Sequence, residues 1–514
     1  MKLAVAIRLS LLFVLASTSP LFAQPPATDH VKRAVEAQGG ADALRAVRAL
    51  VIKGVGRQYV TGQAYRAIGE PRFVGESIFT VTADVGARAI RVDWDRELRL
   101  PTPSRGMFSE IVLPNFGVVV EGKETRVMSG IRVATHQREY GRGSPLLLLR
   151  ALNDPQNVAA LPDQKVGTET LPAVSFKQGP TTYIIMFDRE TGLPAAVRTR
   201  DDDHLFGDSD YDLILSDWRE VSGIKFAHSL SFQINGTEVQ RLLYQEIDVN
   251  PTITPATFAV GDDIKAKARA AAVQDVPYQW VIGRMMLGRF VDSDAIYYPP
   301  GGSFRLSELA PNVQQVLGGS ANNLIVAMKD GIVVFDAPVN EGQSRWVIDA
   351  AKAKYPGKPI RYLVLTHHHN DHSGGMRTYV HEGATIIVPS QSRGFFEAAA
   401  TAPRTIAPDT LQKERRPAKI VDVKHSMSLK DETVEINLHN IINPHADGFL
   451  IGHVVRENIV WITDLVSPRP QMQRTPWTVA AGNALRKHGI NNALIAGGHG
   501  TTGKQADMAA ILSP

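Results

Sequence analysis

One run of ten residues constrains this chain more than any other. The apolar segment Arg361–Leu365 reads as a buried strand, and it leads directly into Thr366-His367-His368-His369-Asn370-Asp371-His372-Ser373-Gly374-Gly375. Four side chains able to ligate a metal, His367, His369, Asp371 and His372, therefore leave one strand end within six positions. Residues two apart in an extended loop point the same way, so His367 and His369 can address one cation. Asp371 and His372 come a turn later, where the chain bends into a helix, and can address a second cation close by. Gly374 and Gly375 allow a tight turn and close packing. Neutral imidazole and carboxylate suit zinc, which needs no thiolate. A surface tract of histidines would not lie between a buried strand and Asp-His-Ser-Gly-Gly. His368, between two ligands, should point away into packing.

The cysteine count is zero. Disulfides, thiol nucleophiles, iron–sulfur clusters and cysteine-linked lipids are thereby excluded, and any metal site must be built from His, Asp and Glu. Charge is balanced, with 56 Lys+Arg against 52 Asp+Glu, and no block of one sign supports a nucleic-acid role. At 514 residues the chain is long enough for two to four domains of roughly 150 residues each.

The start of the chain reads as an address. Lys2 and Arg8 precede an apolar run through Leu9, Leu11, Leu12, Phe13, Val14 and Leu15, which Ser17, Ser19 and Pro20 interrupt. The run is shorter than the ~20 residues of a spanning helix, so residues 1–23 are expected to be a signal peptide cleaved near Ala23. The mature protein is then expected in the periplasm or secreted, with no membrane span.

Two halves follow. Residues 28–260 show short alternating strands, among them Ala89–Val92, Phe116–Val120, Tyr183–Phe187, Asp212–Ser216, Ser229–Ile234 and Arg241–Ile247. A leading amphipathic helix over His30–Val47, interrupted at Gly39-Gly40, predicts a curved antiparallel sheet wrapped around or beside it. Residues 261–300 read as a connector with a helical piece at Ile264–Val273. From 301 to 514 strands and helices alternate. Asn323–Met328 and Gly331–Phe335 form a hairpin, and a helix spans about Glu341–Tyr355. Later strands are Ile360–Leu365, Ala384–Val388, Val434–Ile442, Phe449–Val455, Ile459–Thr463 and Ala493–Ala496. That alternation predicts a layered α/β domain.

The pattern H-x-H-x-D-H at 367–372 resembles that of the metallo-β-lactamase superfamily, and the likeness runs from about Leu317 to Ile511. Asp336 in Val333-Val-Phe-Asp-Ala-Pro matches the aspartate that ends an early strand. His445 in Asn443-Pro-His-Ala-Asp-Gly448, Asp464 in Trp461-Ile-Thr-Asp-Leu and His499 in Ala496-Gly-Gly-His-Gly match the later ligand positions. The resemblance implies an αββα sandwich and two Zn2+ per chain. Site one would be His367, His369 and His445, and site two Asp371, His372 and His499, with Asp464 bridging. His439 and His453 are the competitors of His445 and read as sheet residues; His381, His425 and His488 read as ordinary surface or half-buried residues. Asp336 would position the His367–His372 loop from outside the ligand set. Asn322 and Asn323 could face substrate or serve a turn.

The implied chemistry is hydrolysis by a metal-bridging hydroxide, with Asp371 and Asp464 as the carboxylates closest to it. The bond would be an ester, lactone, lactam or thioester. The absence of cysteine excludes the β-lactamases that use a cysteine ligand. Little room exists for the inserted domain of the nucleic-acid-processing branch, and the bulky inserts and dimerising helices of alkylsulfatases are not evident. Two other readings are a mononuclear iron oxygenase like the persulfide dioxygenases, and a ligand carrier with an accessory metal domain. The second draws on residues 211–258, which resemble the sheet of periplasmic lipoprotein-carrier half-barrels. That resemblance implies an apolar concavity, open to an apolar ligand or a protein partner.

Overall fold

The computed structural model describes residues 26–99, 103–269 and 303–514. The expected signal peptide lies outside the described residues, as does most of the expected connector; of the latter, the helix Asp262–Arg269 is described. Among the described residues no helix is long and apolar enough to cross a membrane.

The first half forms one sheet of thirteen antiparallel strands. Ala49–Val60 pairs centrally with Thr237–Val249, and a meander runs outward from each, ending at Glu124–Val127 on one edge and Val158–Val166 on the other. The leading helix, Ala27–Gln38, packs Val31, Ala34 and Val35 against Phe176, Ile185, Phe187 and Phe226. It breaks where expected. Gly39 has φ +129°, and a Cβ there would lie 2.3 Å from the Gly223 carbonyl, so only glycine fits.

Two helices, Gly130–Gly143 and Leu147–Asn153, were not legible in the sequence. The first turns a polar face inward, with Arg132, His136, Glu139 and Arg142 buried, so it lacks the apolar stripe by which helices are read. Its partner is Glu110, fully buried, which accepts from Arg132 (2.9 Å) and from Trp94 Nε1 (2.9 Å) and lies 3.1 Å from His136 Nε2. Burial alone would raise the Glu110 carboxyl, but His136 and Arg132 outweigh it and hold the group well below the usual carboxylate range.

The second half is a four-layer sandwich. A seven-stranded sheet runs in sequence order from Arg305–Ala310 to Lys419–Val423, and its last four strands are parallel. A six-stranded sheet runs from Ser426–Lys430 to Thr502–Lys504. Phe335, Val364, Leu438, Leu450 and Trp461 join the facing sheets in one core. Helices Glu341–Lys354, Met376–Glu382 and Arg393–Thr401 cover the outer face of the first sheet, and Pro476–Lys487 covers that of the second. This is the αββα order that the family resemblance implies, and it agrees with the layered α/β domain expected from the alternation. Ile332–Phe335 and Ile360–Val364 run parallel in one sheet, Ile459–Ile462 and Leu494–Gly497 in the other. Within each pair, parallel pairing puts both carboxyl ends on one edge, where loops gather side chains.

The halves share buried contacts. Leu205 from the first sheet belongs to the helix-covered core of the sandwich. The buried Arg404 donates to Asp202 at 2.6 Å and also to the His204 carbonyl, while Phe206 meets Phe395 edge-on.

Candidate metal centre

The strand Ile360–Val364 ends where Asp336 takes over its hydrogen bonding. Asp336 Oδ1 accepts from Thr366 N (2.9 Å) and Thr366 Oγ1 (2.8 Å). That hydroxyl has its hydrogen engaged, so it accepts from His367 Nδ1 at 3.1 Å and leaves Nε2 free to face the cluster. Asp336 Oδ2 accepts from His372 Nδ1 (3.1 Å) and Trp461 Nε1 (3.3 Å). One aspartate thus sets the tautomers of two site histidines. Its φ of +62° is an unfavourable backbone state for a non-glycine residue, held by these contacts, and Asp464 is also left-handed at +35°.

The short helix Asn370–Ser373 follows, and Ser373 Oγ donates to the carbonyls of His369 (2.8 Å) and His368 (3.0 Å). The glycine pair serves close packing: a Cβ on Gly375 would lie 1.8 Å from Ser344 Oγ, and one on Gly374 2.3 Å from the Val339 carbonyl. His445 sits in a loop closed by Asn443 Oδ1, which accepts from His445 N (2.8 Å) and Ala446 N (2.9 Å). His499 follows Leu494–Gly497, and Asn322 Nδ2 ties its loop at the Gly497 (3.0 Å) and Gly500 (2.9 Å) carbonyls. Asn323 donates to the Phe335 (3.1 Å) and Asp336 (2.7 Å) carbonyls. Both asparagines are buried loop ties rather than substrate-facing groups.

Seven side chains converge in two adjoining groups, His367, His369, His445 and Asp464 in one, Asp371, His372 and His499 in the other. Asp464 links them. Its Oδ2 lies 2.8 Å from His445 Nε2 and 3.0 Å from His367 Nε2; its Oδ1 lies 3.0 Å from His499 Nε2 and 3.3 Å from His372 Nε2. Asp371 Oδ2 is 3.3 Å from His499 Nε2 and 3.5 Å from His372 Nε2. The open side is at His499, whose side chain is 36% exposed while those of His367 and His372 are at 0%.

Electrostatics divide the two groups. Burial pushes His367 down to about 3 and His369 well below the usual imidazole range, so both present neutral lone pairs. Burial also acts on His372 and His499, but Asp464 and Asp371 outweigh it, raising His372 well above its ordinary value and His499 to about 9. The carboxylates therefore demand positive charge, which a divalent cation can supply in place of protons.

The donor set fits such ions. The Nδ1 atom of His369 is buried and without a hydrogen-bond partner, and its ring groups with His367, His445 and Asp464, which leaves the atom available to a metal. Imidazole and carboxylate alone, three histidines and an aspartate in one group, match zinc. The competitors of His445 lie elsewhere. His439 and His453 are on the strands Glu435–Asn440 and Leu450–Val454; His439 pairs with Ser426 Oγ and stacks on His488, and His453 pairs with Asn458. His381 pairs with Glu414, and His425 is exposed. His368 turns away from the cluster and donates to the Ala64 carbonyl at 2.9 Å.

A sequence model of the metallo-beta-lactamase superfamily matches residues 317–494. This part of the chain is a metallo-beta-lactamase superfamily domain. A linear primary-alkylsulfatase from Pseudomonas sp. is 35% identical over 78 residues, which are 15% of this chain and 12% of that relative. Among solved structures, the metallo-beta-lactamase from Pontibacter korlensis shows 14% identity and a TM-score of 0.33, covering 41% of this chain and 97% of that one. A stereoselective inverting sec-alkylsulfatase from Pseudomonas sp. shows 20% identity and a TM-score of 0.31, covering 41% of this chain and 40% of that one. The chain thus spans well under half the length of either alkylsulfatase.

Contacts from the first sheet to the metallo-beta-lactamase domain went unread in the sequence. Gln63 Nε2 donates to Asp371 Oδ1 at 2.8 Å, and Arg72 Nη2 donates to the His445 carbonyl at 2.8 Å. Gln63 lies in Thr-Gly-Gln-Ala-Tyr-Arg, which reads as an ordinary polar loop, and Arg72 opens the strand that follows; no local pattern reports partners more than 300 residues away.

Proposed function

We propose that this protein is an exported zinc-dependent hydrolase that cleaves an ester-type bond in a small molecule. The observation that carries the reading is Asp464, whose two carboxylate oxygens address two separate histidine groups. When bound there, two zinc ions supply Lewis acidity and a nucleophile usable at neutral pH.

The protein's own groups have distinct tasks. Asp336 keeps Nδ1–H on His372 and, through Thr366, on His367, so both rings offer Nε2 to the cluster. Asp371 and Asp464 hold the negative charge of the site. Phe449, stacked 5.0 Å from His367, and Trp477, edge-on at 4.8 Å from His445, keep water from the buried group. Substrate enters beside the partly exposed His499.

The carbon esters, lactones, lactams and thioesters implied by the family resemblance remain candidate bonds, and the local likeness to an alkylsulfatase adds sulfate esters. Zinc-loaded protein, assayed on a carboxylic ester, a lactone, a thioester, nitrocefin and an alkyl sulfate, is expected to turn over an ester or thioester, with two zinc ions per chain by elemental analysis. One iron per chain in protein purified without added metal, with no hydrolysis by the zinc-loaded form, would favour the oxygenase reading instead. Export rests on residues 1–23; Edman sequencing of protein secreted from a bacterial host is expected to start just after Ala23, and an intact Met1 would refute it.

A further inference from the structure

The loop between the first-sheet strands Ala49–Val60 and Arg72–Asp84 reaches across to the metal centre and contacts ligand-bearing loops of both groups. Its Gly62 carbonyl accepts from Asn370 N at 3.2 Å, and its Tyr65 carbonyl accepts from Asp447 N at 2.6 Å. Ala64 is buried, and its carbonyl accepts from both His368 (2.9 Å) and His369 (3.0 Å). A carbonyl only accepts, so Nε2 of His369 carries the hydrogen and Nδ1 holds the lone pair. That Nδ1 is the buried atom without a hydrogen-bond partner. The loop therefore selects the ligating atom of His369.

Gln63 acts on the other group. Its amide donates to Asp371 Oδ1, while Asp371 Oδ2 faces His372 and His499. The same amide donates to Asn370 Oδ1 at 3.0 Å, which anchors it on the loop it serves. A carboxylate fixed through one oxygen cannot rotate freely to withdraw the other.

We propose that the loop over residues 61–71 is a built-in wall of the metal centre, in which the Gln63 amide and the Ala64 carbonyl are positioning groups for Asp371 and His369. The first sheet is then part of the catalytic unit rather than an accessory to it. The proposal rests on the two-ion reading above, and its test is separable from that reading because it compares the two ions with each other.

In the full-length chain, Gln63→Ala and the similarly sized Gln63→Met are loaded with zinc and titrated against a chromophoric chelator. Partners of this kind typically contribute 10–100-fold to metal affinity. One zinc equivalent is expected to keep its wild-type affinity and the other to weaken by about 10–100-fold. The melting temperature of the chelator-treated variants should match that of chelator-treated wild type. Unchanged affinity for both ions in both variants overturns the proposal. Equal weakening of both ions together with a lowered melting temperature also overturns it, since the loop would then serve only folding. A wild-type chain that takes up a single ion refutes the two-ion reading itself.

Discussion

Replacing His369 with alanine is expected to remove zinc from the first group and to lower hydrolysis by more than about a hundredfold. Loss of a partner outside the ligand set already costs about 10–100-fold, and His369 contributes the lone pair itself. Among the described residues, none of the neighbouring histidines is free to take its place. His445 and His367 face Asp464 through Nε2, and His368 is held by the Ala64 carbonyl with its ring turned away. The first sheet should remain folded, because its cores around Val31–Phe226 and Phe79–Trp94 share no residue with the site. The Ala64 carbonyl also keeps His368 as a donor, so the loop stays docked. Circular dichroism and elemental analysis of the purified variant check both halves of the expectation. Two retained zinc ions with normal turnover would refute the assignment of His369 as a ligand.

Asp336→Ala should be the most damaging change outside the ligand set. Its carboxylate is fully buried and accepts from four donors: Thr366 N, Thr366 Oγ1, His372 Nδ1 and Trp461 Nε1. Alanine removes the acceptor of Thr366 N, Thr366 Oγ1 and Trp461 Nε1 in a dry interior and leaves His372 Nδ1 with Thr463 Oγ1, at 3.2 Å. Breaking such a buried charged network costs about 3–5 kcal/mol. The His372 tautomer is released as well, so affinity for the second ion should fall by about 10–100-fold. Asp336→Asn separates the two effects. An amide oxygen still serves Thr366, but the amide nitrogen presents hydrogens to His372 Nδ1, so stability is partly kept while the second ion is weakened. Chemical denaturation of chelator-treated protein, alongside a zinc titration, reads each effect. Wild-type stability for Asp336→Ala would overturn this account of the residue.

Legibility in the sequence followed the range of the interaction. The layered α/β domain was readable because its strands are short apolar runs, such as Ile332–Phe335, Ile459–Ile462 and Ile360–Val364, bounded by turn residues, while the sandwich order came from the family resemblance. The break at Gly39-Gly40 was readable because glycine alone tolerates the backbone there. The helix Gly130–Gly143 was not, since its buried face carries Arg132, His136 and Glu139, and polar burial leaves no period in hydrophobicity. Asn322 and Asn323 invited a substrate role by their place ahead of a strand, but the carbonyls they tie belong to other loops.

The ten-residue run after Leu365 remains the tightest constraint on the chain. Local chemistry and spacing were enough to mark it as a candidate metal-binding loop at a strand end, to demand a cysteine-free donor set, and to predict a layered α/β domain around it. Whether its four candidate donors meet His445, Asp464 and His499 depended on strand order, because only parallel strands within a sheet, and two sheets packed face to face, bring loops so distant in the chain to one edge. The contribution of Gln63 and Ala64 depended on the packing of one half of the protein against the other. Hydrogen bonds across such a distance leave no periodicity or composition behind, so only the folded chain shows that a loop of the first sheet bonds to Asp371 and His369 of the second half.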